Sequence, residues 1–245
     1  MSTPLKRHLE MERLFGADFL PVKRDIKPAP VFPAPASGTA PKKQIETAKA
    51  GNAEPSENLP YPEEFKAFRA QVLECTKCGL CSTRTQVVFG VGALGVPLMF
   101  VGEAPGQDED LQGEPFVGRA GQLLTKTLKE LGVERRQVYI GNILKCRPPG
   151  NRTPQSDEMS ACMPWLVRQI GFVKPKIICG LGNIAVQTLL NTKTGITRLR
   201  GKYAQALGVQ FFATFHPAYI LRNMNDLKLF KEDLRTVCRD SGLIA

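Results

Sequence analysis

A chain of 245 residues, 42% of them hydrophobic, is long enough to bury one good-sized core beside a tail. No apolar run approaches the roughly 18 residues of a membrane span, and the N-terminus lacks the apolar core of a secretion signal, so a cytoplasmic protein without a membrane role is expected. The net charge of +10 favours a polyanionic partner such as nucleic acid.

Residues 1–58 read as a disordered, Pro/Ala/Lys-rich N-terminal extension, and 59–245 as the domain proper. Within the extension, Leu5, Leu9, Met11, Leu14 and Phe15 have the spacing of a short amphipathic helix over 1–16. The patch Leu14 to Leu20 is a candidate docking segment for an unknown protein partner. From Pro21 to Pro60 too few apolar residues remain to offset the entropy of ordering. Only nine basic and seven acidic residues precede Asn58, so the positive excess sits on the domain.

Phe65, Phe68 and Val72 predict a helix leading into Cys75. Thr85 to Val91 and Pro97 to Val101 read as strands around a Gly-rich turn. Gly102, Pro105 and Gly106 stop the second strand, and a polar loop with five acidic residues runs from Glu103 to Glu114. After Gly118 a helix is expected, with Leu123, Leu124, Leu128 and Leu131 on one face and Gly132 as its stop. Gln137 to Leu144 predicts a strand entering the loop Lys145 to Arg152. A helix from Ser156 to Ile170, capped by Thr153 or Ser156, leads to a strand at Lys176 to Cys179 and a helix ending at Leu190. Val209 to Phe215 is a further strand, ending at His216, and the last helix covers Asn225 to Arg239. Strands alternating with helices predict an α/β fold with a parallel sheet between helical layers. Ligands in such sheets bind where strands hand over to loops.

Metal ligation or plain burial must account for the seven cysteines, because structural disulfides are not expected in the cytoplasm. Cys75 and Cys78, with Cys146 and Cys162 far downstream, have the spacing of a thiolate metal site. Cys81 extends the first pair to C-x2-C-x2-C, which points to iron–sulfur, although zinc also accepts four thiolates. Cys179 and Cys238 read as buried and inert. Gly90-Val91-Gly92-Ala93-Leu94-Gly95 matches a dinucleotide fingerprint but is followed by a strand where a helix should open. Gly180-Leu181-Gly182 does open a helix, yet Arg200 and Lys202 stand where a ribose-holding acid is needed, so a packing turn is preferred. His216, one of two histidines, and Asn142 both end strands at the expected functional edge.

Taken together these segments resemble the iron–sulfur, family 4 type of uracil-DNA glycosylase. The matching text is Cys75-x-x-Cys78, Gly102-Glu103-Ala104-Pro105-Gly106, Pro115 to Gly121, Asn142 with Lys145-Cys146-Arg147-Pro148-Pro149, Cys162, and His216-Pro217-Ala218-Tyr219-Ile220-Leu221-Arg222, in the family's order across about residues 62–240. The resemblance implies a three-layer α/β/α sandwich with a central four-stranded parallel sheet. It also implies a 4Fe-4S cluster on Cys75, Cys78, Cys146 and Cys162, with Cys81 outside the ligand set. The implied activity is excision of uracil from single- or double-stranded DNA by a monomer, leaving an abasic site. Phe116 is then expected to stack on the flipped base, Asn142 to read its N3–H and O4, and backbone at Gly102 and Ala104 to line the pocket. His216 is expected to stabilise the uracil anion, and Glu103 or Glu109 to orient water. Ala104 occupies the place of an Asp in better-known uracil glycosylases. Ile220 and Leu221 are wedge candidates, and Arg222, Arg147 and Arg152, with Lys145, Arg200 and Lys202, candidate phosphate contacts. The alternative is a module that binds or traps uracil-DNA without turnover.

Overall fold

The structure is a computed structural model that describes residues 61–245. The expected extension over 1–58, its amphipathic segment and the Leu14 to Leu20 patch lie outside the described residues. Five strands form one sheet: β1 (Leu98–Gly102), β2 (Tyr139–Asn142), β3 (Ile177–Leu181), β4 (Tyr203–Ala206) and β5 (Val209–Thr214), in the order β2-β1-β3-β5-β4. The pairs β1–β2, β1–β3 and β3–β5 are parallel, giving the four parallel strands the sequence predicts.

The fifth strand corrects the expected count. β4 pairs antiparallel with β5 at the sheet edge. Its Tyr203-Ala204-Gln205-Ala206 text is largely exposed and holds no apolar run, so hydrophobicity gives it no signal. The signal lies in the turn, where Leu207 and Gly208 take φ of 52° and 75°, as two-residue hairpins require. Thr85 to Val91, expected as a strand, is irregular apart from a bridge between Val91 and Ile140. Val87, Val88 and Phe89 are buried there by packing rather than by ladder bonds.

Side chains of a strand alternate between faces, and the core divides accordingly. Leu98 and Phe100 of β1 join Leu124 and Leu128 of α3 (Arg119–Glu130), after α1 (Glu63–Leu73) and α2 (Gln107–Gln112) in the chain, and Phe230, Leu234 and Val237 near the C-terminus. Met99 and Val101 face the other layer, built by Phe65, Phe68 and Val72 of α1, by Trp165, Leu166 and Ile170 of α4 (Ser156–Val173), and by Val186 and Leu189 of α5 (Asn183–Leu190). Each fully buried Leu or Phe contributes about 1.5–3 kcal/mol. The result is the three-layer α/β/α sandwich. A short α6 (Ile196–Leu199) precedes β4, and α7 (Pro217–Arg222) and α8 (Leu227–Ser241) follow β5.

Helix α2 interrupts the segment read as a polar loop. Its Asp108, Glu109 and Asp110 fall in the first turn, where the helix dipole favours negative charge. The cap of α4 also differs from expectation: the Glu158 carboxylate accepts from Gln155 N at 2.8 Å, and neither Thr153 nor Ser156 caps the helix. Because β1, β2 and β5 are parallel, Gly102, Asn142 and the chain entering His216 leave the sheet at one edge; Gly102 and Asn142 are register partners. No helix among the described residues is long and apolar enough to cross a membrane.

Candidate active site and metal centre

Asn142, the last residue of β2, is 2% exposed. Among the described residues its Oδ1 is the one buried side-chain polar atom without a hydrogen-bond partner. Such an orphan costs about 1–3 kcal/mol, so a native fold that keeps one invites a ligand donor. A Cβ on Gly102 would stand 2.5 Å from this oxygen and 2.6 Å from Phe116 Cζ. The strand end, the amide and the ring thus crowd one point, which is why residue 102 has no side chain.

Phe116 is held at φ 54°, a disfavoured region for an aromatic residue. Strain of this kind, about 1–3 kcal/mol, persists only when the surroundings impose it. Glu109 imposes it from one side, accepting from Gly106 N at 3.1 Å, Val117 N at 3.0 Å and Gly118 N at 2.9 Å. Arg135, in the turn after α3, donates to the Pro115 carbonyl from the other side and to Thr125 Oγ1 at 3.4 Å. Both Glu109 oxygens are therefore engaged. The Glu103 carboxyl is half-buried, and burial alone pushes it above the usual carboxylate range.

His216 is the N-cap of α7, and its Nδ1 accepts from Ala218 N at 3.1 Å. The hydrogen bond assigns the ring proton to Nε2, which remains free to donate. Burial, with Arg222 adding to it, pushes the imidazole down to about 4, so it is neutral at pH 7. Gly182, at φ 87°, faces this residue: a Cβ there would lie 2.7 Å from His216 Cβ. The second glycine pattern therefore serves close packing against the histidine, as the packing-turn reading holds. The Phe116 and His216 rings are 5.7 Å apart.

The expected DNA contacts divide. Ile220 is fully buried in the core layer with α3 and α8, so it cannot act as a wedge. Leu221 is half-buried, Arg222 is exposed, and Met224 just beyond is 57% exposed, an apolar tip that the sequence reading missed. Arg147 is half-buried and bonds Asn151 Oδ1 at 2.7 Å. Arg152 is exposed but clamps Glu158 through both of its terminal nitrogens, at 2.9 and 2.5 Å. Lys145 is only 2% exposed, so it cannot meet a phosphate, and Arg200 is paired with Asp233. Ala104 sits half-buried beside Glu103.

Cys75, Cys78, Cys146 and Cys162 line one cavity, together with Cys81, Arg84, Lys145 and Trp165. The end of α1, the loop after β2 and the second turn of α4 bring them together. Three donors face the sulfurs: Trp165 Nε1 to Cys75 Sγ at 3.2 Å, Arg84 Nη1 to Cys146 Sγ at 3.2 Å and Lys145 N to Cys162 Sγ at 3.3 Å. Burial pushes the Cys78, Cys146 and Cys162 thiols up, the last to about 11, so a metal must displace their protons. Among the described residues no group of three or more His, Cys, Asp or Glu side chains forms a metal-holding cluster. In their chemistry, soft thiols with N–H donors aimed at the sulfurs fit a thiolate-bound metal group. Cys179 and Cys238 are buried in the core.

Residues 89–238 match the family model of the uracil DNA glycosylase superfamily. A type-4 uracil-DNA glycosylase of Thermotoga maritima is 47% identical over 166 residues, covering 67% of this chain and 86% of the relative. The type-4 enzyme of Sulfurisphaera tokodaii is 43% identical over 185 residues, covering 71% and 84%. That of Archaeoglobus fulgidus is 42% identical over 175 residues, covering 68% and 88%. A family model that spans more than half of the chain, and relatives matched over most of their own length, establish that the chain belongs to the uracil-DNA glycosylase superfamily, in its type-4 branch.

Proposed function

We propose that this chain hydrolyses the bond between uracil and deoxyribose in DNA and leaves an abasic site, as an initiating step of base excision repair. The observation that carries the reading is the unpartnered, buried Asn142 Oδ1 beside Gly102 and Phe116. Uracil N3–H supplies the missing donor and its O4 takes the Asn142 amide protons. Cytosine reverses both groups, and a good bidentate pair discriminates by about 1–3 kcal/mol.

Extruding the base costs a few kcal/mol, offset by stacking on Phe116 and by filling the pocket. As the glycosidic bond breaks, negative charge gathers on uracil. The neutral His216 donates from Nε2 to uracil O2, and donors of this kind are worth about 2.7–4 kcal/mol. Backbone at Gly102 and Ala104 lines the pocket. Glu103 orients the water and opposes the positive charge of the sugar, because Glu109 is spent on holding the Phe116 loop. Leu221 and Met224 fill the space left in the stack, while Arg222, Arg147 and Arg152 meet phosphates.

Cys75, Cys78, Cys146 and Cys162 hold a 4Fe-4S cluster in this reading. When bound, it supplies no electron to the hydrolysis and serves to pin the Cys146 loop. A monomer acting in the cytoplasm, where unpaired cysteines are the norm, belongs to the same reading. Incubating the protein with a ten-fold excess of uracil-containing oligonucleotide, then treating with alkali, tests the reading. Several alkali-labile sites per protein support the enzyme; one or fewer favours the trapping module.

A further inference from the structure

Lys145 is 2% exposed, yet its ammonium meets no carboxylate. Nζ donates to the Asn142 carbonyl oxygen at 2.8 Å and to Gln169 Oε1 at 2.7 Å. Gln169, fully buried on α4, donates in turn to Phe89 O at 2.9 Å and to Tyr139 Oη at 2.7 Å. A buried ammonium is costly unless some negative charge compensates it. The nearby source would be the four cysteines once a metal has displaced their protons: the main-chain N–H of Lys145 itself donates to Cys162 Sγ at 3.3 Å, and Cys146 is the next residue.

We propose that Lys145 is a positioning residue that couples the metal centre to uracil recognition by fixing the main chain of Asn142. The inference rests on the reading of Asn142 as the base-reading residue. Asn142 is the last register pair of the edge strand β2, so the sheet does not hold its carbonyl. The ammonium does, and thereby sets where the Asn142 side chain starts. Helix α4 carries both Cys162 and Gln169, so a shift of this helix on loss of the metal reaches Asn142 through the same two hydrogen bonds. Outer partners of this type change affinity or activity by roughly 10–100-fold when removed.

Lys145→Met keeps the apolar stem and removes both donors. Iron content and visible absorption of the purified holo-protein report the metal centre, and KM and kcat on a uracil-containing single strand report the pocket. A double-mutant cycle with Asn142→Ala asks whether the lysine acts through the asparagine. The expected result is unchanged iron and spectrum, a KM raised roughly tenfold with a smaller change in kcat, and no further loss in the Asn142→Ala background. Wild-type kinetics, activity lost in proportion to iron, or fully additive losses would overturn it. Should Lys145→Met not fold, Lys145→Gln, which keeps a single amide donor group, goes through the same measurements, and the same results support or overturn the coupling. Unimpaired Asn142→Ala alone overturns the reading of Asn142 and the coupling with it. An impaired Asn142→Ala beside a normal Lys145→Met overturns only the coupling.

Discussion

The rings of Phe116 and His216 lie 5.7 Å apart, centroid to centroid, and are inclined by 34°. That gap is too narrow for a base sandwiched face to face between them. In the proposed reading a flipped uracil lies against the Phe116 face on the side of Gly102 and Asn142, with its O2 edge turned toward His216. The three elements that deliver these residues start from separate strands and meet only because the sheet is parallel.

Asn142→Asp should lower kcat/KM for uracil by about 5–150-fold, the range of one bidentate base contact. Asn142→Ala, which removes the same contact without burying a carboxylate, should lose activity with no parallel loss of stability, because the orphaned Oδ1 contributes nothing to stability without a ligand. Kinetics and a thermal melt on the same preparation check this. A melt that drops with the activity contradicts a recognition role.

Gly102→Ala should abolish turnover by filling the pocket, since the added carbon would stand 2.5 Å from Asn142 Oδ1 and 2.6 Å from Phe116 Cζ. Overpacking of this sort costs about 1–3 kcal/mol of stability. Chemical denaturation and single-turnover rates measure both effects. Full activity would show that base and glycine do not share that space.

The pH dependence follows from His216, held near 4 when its ordinary value is 6.5. Below pH 6.5 the unfolded chain takes up a proton that the folded chain refuses until about 4. This residue therefore lowers stability as pH falls through that window, by up to roughly 3 kcal/mol, and has no effect above it. Base release should show no inflection near 6.5, and an acid limb set by Glu103, whose carboxyl titrates above its usual range. Single-turnover rates from pH 4 to 8 test the shape. His216→Ala should lower the plateau by about 10²–10³ without moving it. An inflection near 6.5 that vanishes in this variant would contradict the neutral imidazole.

Replacing Cys75, Cys78, Cys146 or Cys162 by Ser should each remove visible absorption and lower the melting temperature. Cys81→Ser should do neither, although Cys81 lines the same cavity. Iron analysis and melts of the five variants decide it. A colourless Cys81→Ser protein would place that thiol among the ligands.

Much of this was legible in the sequence, and the exceptions have physical causes. β1, β2 and β3 announce themselves because a sheet covered on both faces buries them completely, and β5 does so from Phe211 onward. β4 does not, since an edge strand with exposed Tyr203 and Gln205 needs no such run. Asn142 and His216 could be read as strand ends, yet their convergence is a matter of topology. Ile220 and Lys145 misled for the same reason: residue type suggested a wedge and a phosphate contact, whereas α7 turns Ile220 into the core and Asn142 and Gln169 draw Lys145 inward. Glu109 and Glu103 looked equivalent until the three backbone donors on Glu109 set them apart.

The most direct measurement sets uracil, cytosine and thymine in turn at one position of the same oligonucleotide and counts the free base released by the wild-type protein. The account predicts release of uracil alone, with the strand intact until alkali is added. Equal release of all three bases, or none from the uracil strand, would contradict it.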